Sequence, residues 1–137
     1  MMRTATLCLL GLVLAGCDVE TGLRVDPECV ASNCRTGGRC SFIDGHCVIG
    51  SDEDCRQSLS CLQSGRCTAK NPGMVGATCA VGSTANCQQS DECRDWGFCT
   101  IVGASCQPRS DEDCQQSVRC LTDGYCHFAE NGCRPTN

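Results

Sequence analysis

Eighteen cysteines in 137 residues carry most of the chemistry this chain could do. Cys8 and Cys17 stand apart near the N-terminus. The other sixteen form four groups of four: Cys29, Cys34, Cys40, Cys47; Cys55, Cys61, Cys67, Cys79; Cys87, Cys93, Cys99, Cys106; and Cys114, Cys120, Cys126, Cys133. The underlying spacing is C-x5-C-x5-C-x6-C, with one residue lost from the first gap of group one and five added to the last gap of group two. Thiolates at such density could hold metal, shuttle electrons or cross-link. Structural zinc sites pair ligands at C-x2-4-C and add a second pair or histidines. Redox cysteines favour C-x-x-C. No C-x2-C or C-x-C occurs, and the chain has only two histidines, His46 and His127. An even number of regularly spaced cysteines reads instead as a disulfide framework, and no cofactor or metal is expected.

The remaining reactive side chains do not assemble into a catalytic pattern. The runs Asp52-Glu53-Asp54 and Asp111-Glu112-Asp113 lack the alternating D-x-D-x-D-G that wraps calcium. They fit helix starts, where the macrodipole favours acidic groups. His46 and His127 fall at different places in their groups, and no G-x-S-x-G is present. The expectation is that the protein is not an enzyme. Two features point to binding instead. Aromatic residues gather late, as Trp96 and Phe98, then Tyr125 and Phe128, and they either cover disulfides or form an exposed patch for a protein partner. The insertion Lys70 to Thr78, with Pro72, Gly73 and Gly76, reads as a surface loop, either tolerated as such or braced as a protease-inhibitor loop.

The N-terminus supplies the sharpest signal. Arg3 precedes an apolar run, Ala5 to Leu14, which ends in Leu14-Ala15-Gly16-Cys17. The run is too short to span a bilayer and fits an export signal. Its last four residues resemble the lipobox of bacterial lipoproteins, here of the cysteine-rich, uncharacterised type. The resemblance covers residues 1–17 and implies removal of residues 1–16. It also implies a diacylglyceryl thioether on Cys17 and commonly an acyl group, such as palmitate, on the new N-terminus. The membrane is then a partner through lipid on Cys17, since several acyl chains anchor durably where one does not. The implied address is the bacterial cell envelope, facing periplasm or cell exterior. Asp18 resembles an inner-membrane retention signal, though only as enteric bacteria use it.

The composition suits that address. The formal net charge is −5, and loss of Arg3 with the leader makes the remainder more negative. That balance disfavours nucleic acid and anionic headgroups as partners. Large apolar residues are too few for a conventional core. Cross-links must take over, at about 2–4 kcal/mol for a typical bridge.

The groups repeat in more than cysteine. Ser51-Asp52-Glu53-Asp54-Cys55 returns as Ser110 to Cys114, Gln-Ser recurs at 57–58, 89–90 and 116–117, and a glycine stands two residues before every third cysteine: Gly38, Gly65, Gly97 and Gly124. Four tandem units follow: 29–47, 48–79, 80–106 and 107–137, after a lipidated tether at 17–28. Each is expected to be a short helix plus a β-hairpin, a small disulfide-rich fold with little core. In unit four, Ser110 caps a helix that runs through Cys114 to Leu121 and ends at Gly124. Tyr125 to Phe128 is a strand, and Glu130-Asn131-Gly132 turns the chain back to Cys133. Asp44-Gly45 makes the same turn in unit one.

On one helix, the first two cysteines would point about 120° apart and lie roughly 9 Å apart along the axis, so they cannot bridge each other. First-to-third with second-to-fourth, and first-to-fourth with second-to-third, both remain open. The former is slightly preferred, and bridges between neighbouring units are not excluded. The short connectors, Val48-Ile49-Gly50 and Gln107-Pro108-Arg109, predict a compact rod of mutually contacting units.

Overall fold

The computed structural model describes residues 23–136. The leader, Cys8, the lipobox with Cys17 and the first part of the tether lie outside the described residues. No helix among the described residues is long and apolar enough to cross a membrane.

Within the described part the chain forms four copies of one small unit, held by eight disulfides among sixteen cysteines. Unit one has helix α1 (Ala31–Gly37) and a hairpin, β1 (Ser41–Ile43) with β2 (His46–Val48). Unit two has α2 (Asp52–Arg56), α3 (Leu59–Ser64), β3 (Thr68–Lys70) and β4 (Thr78–Ala80). Unit three has α4 (Thr84–Gln88), α5 (Asp91–Trp96), β5 (Thr100–Val102) and β6 (Ser105–Gln107). Unit four has α6 (Asp111–Gln115), α7 (Val118–Asp123), β7 (His127–Ala129) and β8 (Gly132–Arg134). Each hairpin is a separate two-stranded antiparallel sheet.

The expected single helix is therefore two in units two to four. The break falls at the recurring Gln-Ser. Ser58, Ser90 and Ser117 are each extended and cap the second helix, accepting from the backbone N–H of Cys61, Cys93 and Cys120. Each hydroxyl also donates to the carbonyl of the first cysteine, Cys55, Cys87 or Cys114, at 2.7 Å. All three serines are buried. Burial is tolerable because both the donor and the acceptor capacity of the hydroxyl are used.

The disulfide pattern corrects the pairing slightly preferred from the sequence. In every unit the first cysteine bridges the fourth and the second bridges the third. The physical reason is the glycine that ends the helix carrying the second cysteine. Gly38, Gly65, Gly97 and Gly124 take φ between 69° and 78° and donate their N–H to the second cysteine's carbonyl. The chain reverses there in the left-handed conformation that glycine adopts without a Cβ penalty. Cysteines six apart then come within 4.5 to 4.6 Å between Cα atoms. The first cysteine, on its own short helix in units two to four and outside any helix in unit one, meets the strand that carries the fourth.

The buried interior is mostly sulfur. Small clusters of Ile49, Cys55 and Ala77, and of Val81, Cys87 and Cys106, are the hydrophobic cores. The second helices run as a column, α1 against α3, α3 against α5 and α5 against α7. Each unit thus buries its face on its neighbour, the logic of a short solenoid.

Candidate functional site

The acidic runs are structural ties. Asp52 accepts from the N–H of Ala69 at 2.7 Å, and Asp111 from that of Phe128 at 2.7 Å. Each holds its own unit's helix to its hairpin. Asp54 and Asp113 are buried and act between units. Asp54 Oδ2 accepts from Ser41 Oγ and Gly50 N–H, both at 2.7 Å. Asp113 Oδ2 accepts from Thr100 Oγ1 at 2.9 Å and Arg109 N–H at 2.8 Å. Ser110 caps as expected, accepting from Asp113 N–H, but Ser51 makes no side-chain cap bond.

The two histidines remain apart in the fold's logic. His46 sits in β2, and His127 Nδ1 lies 3.0 Å from Asp111 Oδ1. The N–H of Phe128 and, secondarily, His127 hold the Asp111 carboxyl below the ordinary aspartate range.

The late aromatic residues divide between the two roles the sequence allowed. Phe98 packs on the cluster of Val81, Cys87 and Cys106, and so covers the outer disulfide of its unit. Trp96 does not cover a core, being 46% exposed. The Arg119 guanidinium lies over both Trp96, 4.6 Å from the ring centroid, and Tyr125, at 4.0 Å. This stack bridges units three and four. Its side opens to a cleft lined by Asp95, Trp96, Val118, Arg119, Thr122 and Asp123. Val118 and Leu121 are exposed on the same helix, Leu121 at 81%. Arginine sandwiched between rings is pre-organised, and aromatic residues with arginine are the types enriched at protein interfaces. Arg119 was missed from the sequence because nothing in its spacing sets it across from Trp96.

The inserted loop is folded onto its neighbours. Gly73 N–H donates to Ile49 O at 2.8 Å, and Met74 N–H and Ala77 N–H close successive turns on Asn71 and Met74. Ala77 is buried, while Met74 and Val75 project into solvent. The sixteen bridged cysteines occupy the framework of all four units, and among the described residues no group of His, Cys, Asp or Glu is arranged to hold a metal ion. No protein family, curated protein or solved structure matches the chain.

Proposed function

We propose that this is a lipid-anchored cell-envelope protein whose disulfide-braced repeat ectodomain acts by binding a protein partner or by a structural role. Eight disulfides over so small an interior are compatible with an oxidising, extracytoplasmic compartment. The lipobox-like Leu14-Ala15-Gly16-Cys17 supplies the anchor. The observation that carries a binding role is the Arg119 stack between Trp96 and Tyr125, flanked by exposed Val118 and Leu121. It is a rigid aromatic–cationic surface with apolar neighbours, the composition of a binding hot spot. A second reading, a displayed protease inhibitor, rests on exposed Met74 and Val75 in a loop tied down at Gly73 and Ala77. A third, metal or thiol binding, has no free thiol among the sixteen bridged cysteines to work with.

Two measurements test the proposal. Metabolic labelling with a radioactive fatty acid should mark the exported protein and be lost in Cys17→Ser. Label that persists in that variant would refute the anchor. A photo-crosslinker at Leu121 on intact cells should trap a discrete adduct that Arg119→Ala removes. An adduct indifferent to Arg119→Ala, or none at all, would refute binding through this surface. A panel of proteases assayed with and without residues 71–76 discriminates the inhibitor reading.

A further inference from the structure

The three junctions inside the chain obey one rule. The residue just after the third cysteine of one unit donates a hydrogen bond to the side chain just before the first cysteine of the next. The pairs are Ser41 with Asp54 at 2.7 Å, Thr68 with Asn86 at 3.4 Å and Thr100 with Asp113 at 2.9 Å. The left-handed glycine lies against the backbone carbonyl of that same residue. A Cβ on Gly38, Gly65 or Gly97 would stand 2.9, 2.6 or 2.6 Å from the carbonyl oxygen of Asp54, Asn86 or Asp113. The fourth cysteine's sulfur rests on the carbonyl preceding the glycine: Cys79 on Gly37, Cys106 on Ser64, Cys133 on Trp96. Finally, the residue before the glycine faces the residue before the next unit's second cysteine, as Ser64 with Glu92 and Trp96 with Arg119.

Unit four repeats the trailing half of this junction without a further unit on it among the described residues. The N–H of Thr136, whose counterparts Gly50, Gly82 and Arg109 donate to Asp54, Asn86 and Asp113, turns back to the Gly124 carbonyl at 3.3 Å and would have to be released on docking. A Cβ on Gly124 would meet no atom within 4 Å. Cys120 and Cys126 are half-buried, whereas Cys34, Cys40, Cys61, Cys67, Cys93 and Cys99 are buried. Unit one repeats the leading half. It lacks a first helix, yet Asp26 stands three residues before Cys29, as Asp52 and Asp111 do before Cys55 and Cys114. Asp26 also accepts the same hairpin N–H, from Phe42 at 2.6 Å. The leading half keeps this tie, with Glu28, in a turn and with its carbonyl against the Cys47 sulfur of its own unit, in the sequence place of Asp54, Asn86 and Asp113.

We infer that the trailing face of unit four docks the leading face of unit one of a second copy, extending the solenoid head to tail. The chemistry at the two ends of the described stack is complementary by the internal rule. His127, whose Nδ1 is held by Asp111, offers Nε2 at the donor position, and Glu28 stands in the acceptor position. Asp123 stands opposite Asn33, a carboxylate to an amide. Gly124 leaves room for the Glu28 carbonyl. Glu28, Asn33, Asp123 and His127 are all exposed. The occupant is argued from continuity: three times within the chain this face is covered by the same arrangement of groups. A head-to-tail contact whose operator does not close produces a linear assembly rather than a ring. The inference stands whether or not Cys17 carries lipid.

Sedimentation of the full chain tests it, exported, purified without reductant and carrying Cys17→Ser so that no acyl chain contributes. Mass should rise with concentration past the dimer. Gly124→Asn places a side chain where the carbonyl must sit, and asparagine tolerates the left-handed conformation. Glu28→Arg removes the acceptor. Each variant alone should remain monomeric, and their mixture should form a one-to-one heterodimer, because one intact face survives on each. A monomer at every concentration would overturn the inference. So would a closed dimer that Glu28→Arg leaves intact, which would mean trailing face on trailing face, or two variants that assemble as the parent does.

Discussion

Ser58, Ser90 and Ser117 each tie two helices together with one hydroxyl, accepting from the second cysteine's N–H and donating to the first cysteine's carbonyl. Removing such a hydroxyl forfeits the cap and one of the bonds to the first cysteine's carbonyl, which keeps the serine's own backbone N–H. Ser90→Ala should therefore destabilise the protein by about 1–2 kcal/mol, read from denaturant unfolding without reductant. A surface serine such as Ser105, which bonds only within its own hairpin, should cost far less when replaced by alanine. Asp111 makes a pH-dependent contribution. Its carboxyl is held below the ordinary range chiefly by the N–H of Phe128. A carboxyl depressed in the folded state stabilises that state above the unfolded aspartate value, and the contribution is lost as pH falls through the lowered value. Acid unfolding of Asp111→Asn should thus show less dependence on pH in that window. Its stability should converge with the parent's at the acid end, and the Phe128 amide resonance should lose its titration.

At the scale of elements, each second helix ends in a Schellman-type reversal in units two to four, the N–H after the glycine reaching back to Ser60, Glu92 or Arg119. Gly97 and Gly124 share this conformation, with φ of 78° and 76°, but only Gly97 faces a neighbouring unit. The pair separates backbone strain from packing. Gly124→Ala should cost about 1–2 kcal/mol, the penalty of a Cβ in the left-handed region. Gly97→Ala should cost about 1–3 kcal/mol more, because the Cβ must push the Asp113 carbonyl aside. Paired denaturation curves of the two variants measure the difference. These glycines, the four units and the hairpins were legible in the sequence because each leaves a local mark: an equal spacing, a turn dipeptide, a cap. The helix break was written there too, in the recurring Gln-Ser, but a serine reads as a cap only when a helix start is already suspected. The pairing of bridges was misjudged because the glycine, legible as a helix end, also folds the third cysteine back onto the second, in unit one as in the others. The Ser41–Asp54, Thr68–Asn86 and Thr100–Asp113 ties were not legible because their partners belong to different units. What could have exposed them is a matched alternation, hydroxyl against carboxylate or carboxamide, at the same two places in every repeat.

Across the whole molecule, sulfur does the work of hydrocarbon, and its exposure is not uniform. The inner bridges Cys34–Cys40, Cys61–Cys67 and Cys93–Cys99 are buried because the following unit covers them. Only Cys29–Cys47 and Cys120–Cys126 have both partners half-buried, and these lie at the two ends of the solenoid. Thiol–disulfide exchange needs a thiolate to reach one sulfur. Graded reduction should therefore open the end bridges first and the inner ones only once units separate. Partial reduction, alkylation and peptide mapping check this: Cys29, Cys47, Cys120 and Cys126 should be labelled before Cys61, Cys67, Cys93 and Cys99. Loss of helical signal should follow the second group rather than the first, because stability in a stack is shared between nearest neighbours. Simultaneous labelling of all sixteen would mean that the bridges fall in one cooperative event, and that burial by the next unit does not govern access to them. Protection of Cys120–Cys126 that grows with protein concentration would place a second copy over that end, linking the order of reduction to the assembly of the rod.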